Sequence, residues 1–268
     1  GSWGRQTSLM EAGGISEDGS YDYYIGYQHF TEDGWRDYSP SHVNQLFTKV
    51  GWESDTSRYE VSYSGAHNLL IGNGLTPKDL LGSDLEGIHT LEDETKNNYG
   101  KLVLSATEYW DDATMFSGNA YWLRSDRKTG NGDLNDEYAN PGDDEGVQNA
   151  TGTKQDAYGA NGQITFDQDW LGRRNQLIVG VALESSIIKF AQTEQEQATL
   201  LANGFFGGAL GDVEQTTGLT GKTKSAGLFA TNTHSLNDHW DINTSARYNF
   251  IQVNNEDTFN PAGGNASL

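Results

Sequence analysis

The sequence predicts an all-β protein, a segment of an antiparallel transmembrane β-barrel with about ten strands. Three observations predict it. Apolar and polar residues alternate with a period of two in one segment after another, which puts them on opposite faces of extended strands. The connections between these segments alternate between short and long. Large aromatic residues gather beside the short ones.

The alternation is clearest over 240–250. Trp240, Ile242, Thr244, Ala246, Tyr248 and Phe250 fall on one face, and Asp241, Asn243, Ser245, Arg247 and Asn249 on the other. Leu177, Val179, Val181 and Leu183 alternate with Gln176, Gly180 and Glu184, with Ile178 breaking the rule. Tyr59, Val61 and Tyr63 alternate with Glu60, Ser62 and Ser64, and 45–52, 101–107 and 163–167 follow the same grammar. Strands are therefore expected near 5–16, 21–33, 43–53, 58–72, 98–110, 115–130, 156–170, 175–192, 222–236 and 240–252. Several exceed the roughly five or six residues of an average strand.

Short turns are expected at 17–20, 55–57, 111–114, 172–174 and 237–239, and longer connections at 34–42, 73–97, 131–155 and 193–221. A soluble sandwich has no reason to gather every long connection at one end. An outer-membrane barrel does, because its periplasmic turns are short and its external loops long. Trp52, Tyr59, Trp110, Phe116, Trp170 and Trp240 each adjoin a short turn, and parity puts each on the apolar face. Amphipathic rings at one level are what a membrane-interface girdle requires. The competing reading, core aromatics of a sandwich, leaves their gathering at one end unexplained. Two long connections are expected to carry short helices. One starts at Thr76-Pro77, an N-cap followed by a first-turn proline. The other covers 194–201 and stops near Asn203-Gly204.

Composition excludes several functions. The chain has no cysteine, so it builds neither a disulfide framework nor a thiolate metal site. Its net charge of -21, with no basic stripe in the sequence, argues against nucleic acid as a partner. Mean hydropathy is -0.68, and no apolar run approaches the roughly 18 residues of a membrane helix. That rules out a helical membrane protein and leaves a barrel open, since barrel strands average polar and apolar faces. No signal peptide begins at Gly1, so the expectation is that it was removed or that the chain starts in mid-protein.

No catalytic, cofactor-binding or metal-binding residue is assigned, and no resident cofactor is expected. The histidines (His29, His42, His67, His89, His234, His239) lack metal-ligand spacing. No G-x-S-x-G motif occurs, which leaves only a Ser/His/acid site assembled in space as a hydrolytic alternative. Gly72-Asn73-Gly74 lacks the spacing of a phosphate loop. Asp133, Asp136, Glu137, Asp143, Asp144 and Glu145 form the densest acid cluster. Its cation-binding reading stands against a solvated external loop, because the glycine and distal glutamate of a calcium loop are missing. The sequons at Asn149, Asn243 and Asn265 would be incidental in a bacterial outer-membrane protein.

A series of short motifs carries a family resemblance: Gly1-Ser2-Trp3-Gly4-Arg5, Glu11-Ala12-Gly13-Gly14, Asp18-Gly19-Ser20-Tyr21-Asp22-Tyr23, Glu32-Asp33-Gly34-Trp35-Arg36-Asp37 and Ser39-Pro40-Ser41. Gly72-Asn73-Gly74-Leu75-Thr76-Pro77, Leu80-Leu81, Ser117-Gly118-Asn119-Ala120-Tyr121 and Asn131-Gly132-Asp133 continue it. In this order they resemble TonB-dependent outer-membrane receptors of the siderophore, cobalamin and ferric-citrate type, most densely over about the first 135 residues. The resemblance implies a barrel of about 22 strands around an N-terminal plug. It also implies ligand capture between plug and external loops, and energy delivered by the periplasmic TonB complex. No plug, energy-coupling box or closing strand is recognised, and Asn260-Pro261-Ala262-Gly263-Gly264 reads as an unfinished loop. The chain is therefore expected to be an internal fragment of somewhat under half a barrel, and no ligand residue is carried over. The expected function is energy-coupled uptake of a scarce ligand, a ferric siderophore or similar metal chelate, in a Gram-negative outer membrane whose lipid is a further partner. The alternatives are a passive porin-like channel and a soluble secreted β-sandwich.

Overall fold

Ten long strands and one short one form a single antiparallel sheet in which each strand pairs with the next in the chain. The computed structural model describes residues 2–72, 74, 82, 84–88, 90, 93–134, 146–197, 211–260 and 266–267. A 3-10 turn, Ser2–Gly4, precedes β1 (Gln6–Ile15), β2 (Tyr21–Glu32), β3 (Ser41–Glu53), β4 (Ser57–Ile71) and β5 (Glu94–Asp111). Then follow β6 (Thr114–Leu134), β7 (Gly146–Asp167), β8 (Asn175–Gln197), β9 (Glu214–Asn237), β10 (Trp240–Asp257) and the two-residue β11 (Ala266–Ser267). β1 and β10 are not paired with each other, so the sheet is open among the described residues.

The expected strands are present, and several run further than the alternation predicts. β5, β7 and β9 begin at Glu94, Gly146 and Glu214, and β8 continues to Gln197. The added length lies at the long-connection end. There Lys, Thr, Gln, Asn and Gly occupy both faces, so the ladder continues while the period-two hydropathy signal disappears. Residues 194–197, expected to be helical, are the last residues of β8 and pair with β7. The remainder of that segment and Thr76-Pro77 lie outside the described residues. So do Asp136 through Glu145, whereas Asp133 belongs to β6.

The short turns are closed by local chemistry. In the β1–β2 turn Asp18 Oδ1 accepts from Ser16 Oγ (2.6 Å) and from the Ser20 amide (3.1 Å). Gly19 occupies the left-handed region at φ 75°, which costs glycine no Cβ clash. Between β7 and β8, Leu171 and Gly172 both have positive φ, and Trp170 and Arg173 exchange backbone bonds of 2.9 and 3.1 Å. Positive φ at both central residues is the type I′ geometry that suits hairpin twist.

The registers separate the two faces. One directly opposed row runs Leu104, Ala120, Ala160, Leu183, Ala226 and Phe250 across six strands. In β7 the apolar face stays free of charge from Tyr158 to Phe166, about 26 Å of strand at about 3.3 Å per residue. That matches the roughly 9–11 residues a tilted strand needs to cross hydrocarbon. Among the described residues no second layer covers this face. Ile88 and Ala157 are the only buried apolar side chains among the described residues, while Leu228 is 63% exposed. A single sheet without an apolar core removes the soluble two-sheet sandwich as an architecture for the described residues.

Candidate functional site

The aromatic residues at the short-turn end meet in pairs across neighbouring strands. Trp52 of β3 stands directly opposite Tyr59 of β4, and their rings stack at 5.5 Å and 15°. Trp110 and Phe116 stack across β5 and β6 at 6.4 Å and 6°. Trp240 opens β10 with its side chain in the open. Trp170 differs from the expectation in one respect. β7 ends at Asp167, so strand parity does not place Trp170; the type I′ turn does, setting its ring edge-on against His234 at 5.2 Å.

The opposite face is polar, and its first feature is a charge network above the short turns of β2, β3 and β4. Arg58 donates to Asp22 (2.9 Å), Glu53 (2.6 Å) and Glu60 (3.4 Å). Lys49 lies 3.3 Å from Glu60 and 3.7 Å from Asp22. Gly51 makes room for it, since a Cβ there would lie 2.4 Å from Asp22 Oδ2. Single exposed pairs contribute little, but this network joins three strands and leaves three carboxylates facing two cations.

Two grooves follow along the polar face. The first, about 430 Å³, is lined by Leu9, Tyr24, Phe47 and Tyr99 among others. The Tyr24 and Phe47 rings meet at 5.9 Å, and the Tyr24 hydroxyl donates to Glu11. The second, about 410 Å³, holds Tyr121, Asn161, Glu184, Arg247 and Asn249. Arg247 lies over the Phe229 ring at 5.8 Å and donates to Asn249 (2.8 Å). Amides, hydroxyls and paired charges of this kind bind by hydrogen bonding and stacking. Among the described residues no group of three His, Cys, Asp or Glu could hold a metal ion.

At the other end of the sheet the long connections are tied together. Arg36, between β2 and β3, donates to the carbonyls of Gly74 (3.1 Å) and Gly87 (2.8 Å) in the β4–β5 connection. Asp93, 3% exposed, accepts from the amides of Gly74 (2.8 Å) and Gly132 (2.6 Å) and from the Thr90 hydroxyl. Neither Arg36 nor Asp93 is identifiable from the sequence as a clip, because the groups they tie together across connections are backbone carbonyls and amides 19 to 51 residues away.

No family model matches the sequence, and no curated protein matches it. Solved structures do. The ferripyoverdine receptor of the outer membrane of Pseudomonas aeruginosa, solved with ferripyoverdine bound, superposes with a TM-score of 0.75 at 10% identity, over 100% of this chain and 37% of that one. This chain has the fold of a section of a receptor barrel. The siderophore receptor PiuA from Acinetobacter baumannii gives a TM-score of 0.73 at 9% identity, over 99% of this chain and 43% of that one. The ferric-catecholate import receptor Fiu from E. coli K12, in its closed form, gives 0.70 at 11%, over 96% and 40%. The chain thus spans about two fifths of the length of these receptors. The antiparallel strands expected from the sequence superpose on these receptors over nearly the whole chain, and at such identities the likeness is one of fold.

Proposed function

We propose that this chain forms part of the wall of an outer-membrane receptor barrel that imports a ferric siderophore or similar metal chelate. Energy would come from the TonB complex through a plug domain that, with the remaining strands, occupies the part of the receptors this chain does not span. One combination carries the reading: strands folded as in outer-membrane siderophore receptors present an uncovered apolar belt that ends, at the short turns, in aromatic pairs. In this reading the apolar face meets lipid, and Trp52, Tyr59, Trp110, Phe116, Trp170 and Trp240 form the periplasmic-side girdle. The polar face lines the lumen. There Lys49 and Arg58 are neutralised by neighbouring carboxylates, which suits a packed plug better than a pore lined by rings of like charge. The long connections face outward, where the chelate is captured.

The test is uptake of radiolabelled iron by iron-starved cells carrying or lacking the full-length gene. Loss of accumulation of at least one ferric chelate, restored by the gene and abolished by an uncoupler, is the expected result. Unchanged chelate uptake, together with uncoupler-insensitive passage of small solutes through the reconstituted protein, would establish the passive channel instead.

A further inference from the structure

The turn between β7 and β8 carries a side chain that its backbone does not favour. Type I′ geometry requires positive φ at both central residues, which glycine, asparagine and aspartate supply most readily. Gly172 supplies one at φ 73°, but Leu171 supplies the other at φ 54°. A residue with a Cβ resists that conformation. Among the described residues only Trp3, Tyr38 and Leu171 have positive φ without being glycine, and of these Leu171 alone stands in a short turn. Its side chain is 79% exposed. Leucine thus costs the turn conformational energy and gains no contact within it, so its gain lies in what surrounds the turn.

Three features indicate what covers it. The tip leans toward the apolar face, because Trp170 sets its ring against His234 and His234 stands opposite Ile242, a belt-face residue of β10. The tip is also continuous with the belt. Trp170 before it and Trp240 at the start of β10 are both exposed, and Arg173 ties this turn to Asp238 of the next one at 3.1 Å. The third feature is charge. The other short turns carry Glu17, Asp18, Asp55, Asp112 and Asp238 and neither lysine nor arginine, whereas this turn sets Arg173 and Arg174, both exposed, against Asp169. An apolar tip with cations beside it suits the boundary between hydrocarbon and headgroups, while purely acidic turns suit water.

We propose that Leu171 and Trp170 insert into the periplasmic leaflet, so that the β7–β8 turn anchors this part of the wall at the headgroup boundary. The inference rests on the reading of the chain as an outer-membrane barrel wall. Insertion moves the leucine side chain out of water, and that transfer offsets the conformational cost of holding it at positive φ.

The experiment uses the full-length protein, freed of any other cysteine and folded into phosphatidylethanolamine–phosphatidylglycerol vesicles, with a nitroxide attached at Leu171→Cys, Val181→Cys or Asp55→Cys. The label at Leu171 should meet dissolved oxygen more readily than an aqueous nickel chelate, as the label at Val181 should, whereas the label at Asp55 should show the reverse. A Leu171 label as open to the chelate as the Asp55 label overturns the proposal. So does shielding found in native outer membranes and absent from pure lipid vesicles, which would assign the tip to a periplasmic protein. Should the labelled variant fail to fold, Leu171→Asn decides by the sign of its effect. Asparagine takes the left-handed conformation more readily than leucine, so a merely tolerated leucine predicts a more stable protein. An inserted leucine predicts that the equilibrium constant for folding into vesicles falls several-fold, and a rise overturns the proposal. If the Val181 label is open to the chelate as well, the barrel reading falls together with this inference. If Val181 lies in hydrocarbon and Leu171 in water, this inference falls alone.

Discussion

Single residues carry the distinction between the two faces. Val181 lies in the middle of the belt and Ser245 on the polar face. A cation at bilayer mid-depth on the lipid side costs about 2–4 kcal/mol. Val181→Arg should therefore lower the folding free energy of the full-length protein in lipid by that amount, with Ser245→Arg near wild type; equal losses would contradict the assignment of faces. The β1–β2 turn offers a second residue-scale test. The Ser16 hydroxyl and the Ser20 amide hold the Asp18 carboxyl down at about 2. Because the folded value is depressed, the turn keeps this contribution above the ordinary aspartate range and loses it as pH falls toward 2. NMR titration of Ser16→Ala should move the Asp18 midpoint up toward the ordinary value, and an unmoved midpoint would remove Ser16 as its main cause.

At the scale of elements, the clip at Asp93 and the direction of the hairpins are the informative features. Asp93 holds the β4–β5 connection to β6 through buried, charge-assisted bonds, and such bonds contribute about 1.5–3 kcal/mol each. Asp93→Ala should make that connection sensitive to protease on intact cells while the heat-modifiable barrel persists; wild-type resistance would show the clip to be dispensable. Hairpin direction can be read with single cysteines, since the chain has none of its own. An impermeant maleimide should label Asp212→Cys in intact cells and Ala113→Cys only after lysis, and the reverse pattern would invert the topology. The strands themselves are legible in the sequence where the belt runs, because only there does one face require apolar residues. Gly146–Gln155 of β7 escapes such reading because both of its faces are polar. Trp170 shows the limit of parity, since a two-residue turn, and no strand, aims its ring.

At the scale of the whole molecule, the sheet has a face that water does not suit and two edges, β1 and all of β10 but Asn254 and Asn255, that are left unpaired among the described residues. β1 and β10 offer unpaired N–H and C=O groups, which in hydrocarbon cost several kcal/mol each and in water invite association. The apolar face adds a patch far larger than a soluble monomer exposes, with Leu104, Leu183, Leu228 and Phe250 all uncovered. The most direct measurement is sedimentation together with thermal melting of residues 1–268 in detergent-free buffer. A membrane-barrel wall predicts an aggregated or unfolded chain with no cooperative transition; a monomer that melts cooperatively in plain buffer would contradict it.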